Sequence, residues 1–149
     1  MKVVFLDIDG VLVNGRQITP SFDHEAVKRL YHLVTSHEAK VVLSSDWRHT
    51  WAPERLSKEI HYQTGVEIRI DDATPTKVKD EETGLYLADI RGAEIQAWLD
   101  DNEVSAYVIL DDMEPSNFLQ HQLGKHVWTN FHTGFTQEKL QEADGVLCG

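Results

Sequence analysis

The chain has 149 residues, 41% hydrophobic and 26% charged, which suits a single globular domain over 1–149 and excludes a disordered chain. Its formal net charge of −11 argues against broad non-specific binding to nucleic acid, since affinity for a phosphate backbone comes from lysine and arginine. The single cysteine, Cys148, excludes a disulfide framework, and with no membrane-length apolar run and no leader pattern a cytoplasmic protein without a membrane partner is expected.

Lys2 to Leu6 is an apolar run that ends in Asp7-Ile8-Asp9-Gly10. An apolar run of this length, closed by a glycine turn, predicts a buried strand at the centre of a parallel sheet. Asp7 and Asp9 then stand at its C-terminal end, where open α/β sheets hold their ligands. Two carboxylates this close repel each other and call for a cation, a proton or a hydrogen-bond network. A hard divalent cation suits them, and magnesium is the usual one where phosphate is also bound. The plainer alternative is a solvated turn with aspartate capping the next element.

Asn14 to Ser21 reads as a loop with room for a small β-hairpin flap. Asp23 to Glu38 predicts a helix with Ala26, Val27, Leu30, Tyr31, Leu33 and Val34 on one face and Ser21 or Asp23 as its cap. His24, His32 and His37 read as helix surface, without ligand spacing. Lys40 to Ser45 predicts the second strand, which ends in two hydroxyls at the same sheet edge as Asp7. A serine there suits a phosphoryl oxygen, or simply caps a turn.

Pro53 to Gln63 predicts a helix with Leu56 and Ile60 as its stripe and Gly65 as its stop. Val66 to Ile70 is expected as a third strand, and Asp71 to Asp89 as a polar excursion at the rim. Arg91 to Asp101 predicts a helix that buries Ile95, Trp98 and Leu99. Arg91, at its start, opposes the helix dipole; an anion held there would account for it, and a rim arginine is the alternative. Tyr107 to Leu110 is the next strand and runs into Asp111 and Asp112. A short helix over Pro115 to Leu123, a last strand over His126 to Thr129 and a helix from the Thr136 cap to about Ala143 complete the chain.

Asp7 and Asp9, Ser44, Arg91, and Asp111 with Asp112 follow one another in an order that resembles the haloacid dehalogenase (HAD) superfamily of phosphotransferases. Phe5-Leu6-Asp7-Ile8-Asp9-Gly10-Val11 matches its first motif and Val41-Val42-Leu43-Ser44 its second. Arg91 takes the place of the third motif's basic residue, and Val108-Ile109-Leu110-Asp111-Asp112 matches the fourth. Ser44-Ser45-Asp46-Trp47-Arg48, the helix from Arg91 to Leu99 and Thr133-Gly134-Phe135-Thr136 are similar to small HAD-like domains, including ones associated with multidomain RNA-repair proteins.

The resemblance implies an α/β fold, a three-layer Rossmann-like parallel sheet flanked by helices. It also implies a magnesium-dependent phosphomonoester hydrolase, with Asp7 as nucleophile and Asp9 as general acid and then base. Magnesium would be held by Asp7, the backbone carbonyl of Asp9, Asp111, and Asp112 directly or through water. Ser44 and Arg91 would bind the phosphoryl oxygens; Ser45 for the hydroxyl, and Lys77 or Lys79 for the cation, are the alternatives. The spacings from Asp7 to Ser44 and from Asp46 to Ile90 leave no room for a large cap domain, so an open site is expected. Trp47 and Arg48 follow the second motif and suit stacking a base and contacting a phosphate, or else packing. The expected partner is a phosphorylated substrate, with a nucleotide or a nucleic-acid end among the candidates. The other readings are a catalytically silent HAD-fold binding or regulatory module and, on Ile70-Asp71-Asp72, a receiver-type signalling domain.

Overall fold

The computed structural model describes residues 1–14, 21–76, 82–84 and 91–149. Among these, five strands form one parallel sheet: β1 (Lys2–Leu6), β2 (Lys40–Leu43), β3 (Asp72–Ala73), β4 (Ala106–Asp111) and β5 (His126–Trp128). Their order is β3-β2-β1-β4-β5, which puts β1 at the centre. Leu6 is in register with Leu43 of β2 and with Leu110 of β4.

The unbroken apolar run of β1 has its reason in the two faces of the sheet. Val4 and Leu6 join a core made with α1 (His24–His37), α2 (Pro53–Thr64) and α4 (Gln137–Cys148). Val3 and Phe5 point into a second core with Ile95 and Trp98 of α3 (Arg91–Asp100) and with Phe118. There the Phe5 and Trp98 rings meet edge to face, 5.5 Å between centroids. The result is the expected three-layer α/β architecture, and among the described residues it carries no cap domain. No described helix is long and apolar enough to cross a membrane.

Asp23 caps α1, its side chain accepting from the backbone N–H groups of Glu25 and Ala26. Ala26, Val27, Leu30 and Leu33 are buried as expected, whereas Tyr31 is exposed. Pro53 opens α2, and Gly65, in the left-handed region at φ 74°, closes it. Thr136 caps α4, which runs on past the expected Ala143 to Cys148 because Leu147 continues the buried stripe of Leu140 and Ala143.

Two elements differ from expectation. Val66 to Ile70 forms no strand; only Asp72 and Ala73 pair with β2. The alternation had reported side-chain burial correctly, for Ile68 and Ile70 are buried. However, the Ile70 N–H donates to Ser57 Oγ of α2 at 3.0 Å instead of to a neighbouring strand. The single helix expected over Pro115 to Leu123 is two 3-10 turns, Pro115–Asn117 and Gln120–Lys125. Extended Phe118 separates them, because its ring fills the core beside Trp98. The expected flap falls on residues 15–20 and lies outside the described residues, as do Lys77 and Lys79.

Candidate active site

The parallel register sets three chemical groups side by side. Past the end of β1 the Asp7 N–H donates to the Leu110 carbonyl at 3.0 Å, and the Ser44 N–H donates to the Leu6 carbonyl at 2.9 Å. Asp7, Ser44 and Asp111 therefore share the C-terminal edge of the sheet on adjacent strands. Asp111 is fully buried and Asp7 is 6% exposed. Carboxylate oxygens of Asp7, Asp111 and Asp112 all lie within 4.8 Å of one another. Burial above all, and then the charge of Asp111, push the Asp7 carboxyl well above its ordinary range, against the pull of Arg91. Burial also raises half-buried Asp112, while its hydrogen bond to Asp7 works the other way.

These acids are crowded together, and around Asp7 and Asp111 burial keeps water from screening charge. The three donors are all hard carboxylate oxygens, a set that fits magnesium rather than a soft metal. Asp9 contributes no carboxylate oxygen to the group. Its side chain turns aside, and Oδ2 accepts from the Trp47 indole Nε1 at 3.1 Å.

Arg91 is the counter-charge. It is 4% exposed, with Nη1 3.3 Å from Asp111 Oδ2 and 3.7 Å from Asp7 Oδ1, and Nη2 3.7 Å from Asp46 Oδ1. Nη1 also donates to the Ser44 carbonyl. Burial opposes the guanidinium charge, but Asp111, Asp7, Asp46 and Glu94 outweigh it and hold Arg91 cationic. The anions that a cation at the start of α3 called for are these carboxylates.

Ser44 Oγ is wholly buried and has no hydrogen-bond partner among the described residues. An orphan of this kind costs about 1–3 kcal/mol, so a ligand oxygen is the natural partner. Ser45 is different: its Oγ accepts from the Trp47 N–H and caps the 3-10 turn Asp46–His49. Thr74, 4% exposed, just past β3 and beside Ser44 in register, carries a second hydroxyl with no partner among the described residues. The sequence reading missed it because the strand was expected to end at Ile70.

The loops around the acids are braced. Gly10 sits at φ 77°, and a Cβ there would run into the Asp112 carboxylate. Thr129 Oγ1 donates to the Gly10 carbonyl at 2.7 Å, and Trp128 Nε1 to the Asp112 carbonyl at 3.0 Å. The Met113 N–H donates to Asp111 Oδ1 at 2.9 Å.

Of the two readings of Arg48, substrate contact and packing, its contacts in the fold support packing. Its side chain is 5% exposed and turned inward, with Nη2 2.6 Å from Glu94 Oε2. Nη1 donates to the Ser44 and Ser45 carbonyls at 3.2 and 2.7 Å. The cause is Glu94, buried on α3, whose charge needs a partner. The Trp47 ring lies against Phe22 on one side and stacks on Trp51, 6.3 Å between centroids. Asp71 and Asp72, the basis of the receiver-type reading, are occupied structurally. Asp71 Oδ2 accepts from the Val41 N–H at 3.0 Å, and Asp72 Oδ2 from Trp98 Nε1 at 2.8 Å. His37 bridges Lys2 and Asp144 beside Cys148, at the opposite edge of the sheet.

Comparison with curated proteins and with solved structures finds no match. A family model described as the HAD domain in Swiss Army Knife RNA repair proteins matches residues 3–140, and so takes in the ends of β1, β2 and β4 and the start of α3 that form the site. The order of motifs, the sheet topology and this match agree: the chain belongs to that family of HAD domains, within the HAD-type hydrolases.

Proposed function

We propose that this chain is a magnesium-dependent phosphomonoester hydrolase that works through an aspartyl-phosphate on Asp7. The observation that carries the reading is the Ser44 hydroxyl, buried without a partner among the described residues one strand away from Asp7. Phosphoryl transfer through an aspartyl-phosphate needs a carboxylate nucleophile, hydrogen-bond donors for the phosphoryl oxygens and a positive charge beside them. Asp7, Ser44 and Arg91 supply these.

A carboxylate oxygen of Asp7 attacks phosphorus, and the bond from phosphorus to the leaving oxygen breaks. That oxygen keeps the electron pair and takes a proton from Asp9. Water then gives a proton to Asp9 as its oxygen attacks phosphorus, releasing inorganic phosphate and the Asp7 carboxylate. Ser44 and Arg91 hold the phosphoryl oxygens through both steps. Asp7, Asp111 and Asp112 would hold magnesium, which when bound shields Asp7 from an anionic substrate and draws charge from the phosphoryl group.

The family's description favours a polynucleotide end or a nucleotide as the phosphorylated substrate. The test is phosphate release from a generic aryl phosphate, with magnesium and with chelator, for wild type and Asp7→Asn. The expected result is turnover that needs magnesium and disappears in Asp7→Asn. A panel of nucleotides and 3′- and 5′-phosphorylated oligonucleotides then ranks substrates. Wild type silent on all of them would favour a binding role for the same fold.

A further inference from the structure

The hydrogen bond between Trp47 and Asp9 joins the first motif to the turn that follows the second, two segments far apart in the sequence. The indole ring is clamped. Phe22, itself 4% exposed, lies 5.8 Å from it by ring centroid, and Trp51 stacks on it. Its backbone is held as well: the Trp47 N–H donates to Ser45 Oγ, and the Trp47 carbonyl accepts from the Thr50 and Trp51 N–H groups at 3.0 and 2.7 Å. Behind the turn, Arg48 ties the Ser44 and Ser45 carbonyls to Glu94 of α3. A side chain braced this thoroughly presents its one polar atom, Nε1, to Asp9 Oδ2 at 3.1 Å.

An indole N–H donates and never accepts. Asp9 Oδ2 is therefore an acceptor, and in the acid form the proton is favoured on Oδ1. We propose that Trp47 is a positioning residue for Asp9: its N–H holds Oδ2 and leaves Oδ1 to pass the proton to the leaving oxygen and take it back from water. This inference rests on the phosphatase reading and adds to it a residue outside the four motifs. Substrates with poor leaving groups depend on it most. An alkoxide needs its proton in the transition state, whereas an aryloxide of low basicity departs largely without one.

The experiment compares kcat/KM, which reports the steps through departure of the leaving group, on an alkyl and an aryl phosphate. Trp47→Phe removes the donor and keeps a ring in the clamp. The ratio of alkyl to aryl kcat/KM is expected to fall about tenfold in this variant, a modest share of what general acid catalysis contributes. Trp51→Phe thins the same clamp but keeps the Trp47 donor, and is expected to leave the ratio at its wild-type value. An active wild type whose Trp47→Phe variant loses both activities in equal measure, or neither, overturns the inference and leaves the phosphatase reading standing. A ratio that falls as far in Trp51→Phe also overturns it, because packing would then suffice. Wild type without turnover on the aryl phosphate and on the nucleotide and oligonucleotide panel overturns the phosphatase reading, and the inference with it.

Discussion

Asp7 is buried among like charges, and its protonation couples directly to stability. Its pKa in the fold is raised above the ordinary 3.8, chiefly by burial and then by Asp111, so the native state binds its proton more tightly than the unfolded chain does. From that ordinary value up to the raised one, the native state holds the extra proton, and stability falls as pH rises through the window. Asp112 is shifted in the same direction. In metal-free protein, Asp7→Asn is therefore expected to raise Tm near pH 7 by a few degrees, on the scale of about 1 kcal/mol in a domain of this size. The advantage closes as the pH is lowered to about 4. Thermal melts of both proteins across that range check it; an advantage that grows in acid would reverse the sign of the linkage. Asp7 and its role in the pattern were legible from the sequence, because a charge that ends an apolar strand is a local signal. The orientation of Asp9 was not, since its partner Trp47 comes from another part of the chain.

At the scale of elements, the loop after β2 and the helix α3 are fastened to one another by a pair that the sequence did not reveal. Arg48 and Glu94 are both nearly buried at 5% and 9% exposure of their side chains, and lie 2.6 Å apart. Removing one partner strands the other charge away from water, which typically costs about 3 kcal/mol. Glu94→Leu is expected to lose that much stability. Arg48→Met combined with Glu94→Leu is expected to recover most of it, because neither charge is then left alone. Denaturant titrations of the two single variants and the double variant measure the coupling directly. Helices α1, α2 and α4 announced themselves through caps and stripes, which are local. The strand expected at Val66 to Ile70 failed because alternation reports which side chains are buried, whereas a ladder depends on which backbone lies alongside.

For the whole molecule, the two cores press on both faces of one parallel sheet, and so the polar chemistry is left to its C-terminal edge. The proposed ligands of magnesium come from β1 and β4 and exist as a set only in the folded state. Binding therefore feeds into global stability, by about 2.7 kcal/mol when the free ion is at a hundredfold excess over its Kd. Magnesium is expected to raise Tm by several degrees near neutral pH. Chelator is expected to reverse the rise, and Asp111→Asn to abolish most of it. Scanning calorimetry of the two proteins over a magnesium series provides the check. A rise that survives in Asp111→Asn would place the ion elsewhere.

The sequence by itself determined the apolar runs, the caps and the order in which charged and hydroxyl residues leave the strands. From these came the α/β fold, the central position of β1, and Asp7, Ser44, Arg91, Asp111 and Asp112 as residues of one edge. Each of these signals is written within a few neighbouring residues, in the period of a strand or helix or in the abrupt end of an apolar run. Only the tertiary structure decided what each polar group faces. It turned Arg48 inward onto Glu94, set Trp47 against Asp9, left the hydroxyls of Ser44 and Thr74 without partners among the described residues and cut β3 to two residues. The physical reason is that composition and periodicity state whether a side chain leaves water. The partner a charge or hydroxyl meets there is set by strand register and helix packing across distant parts of the chain.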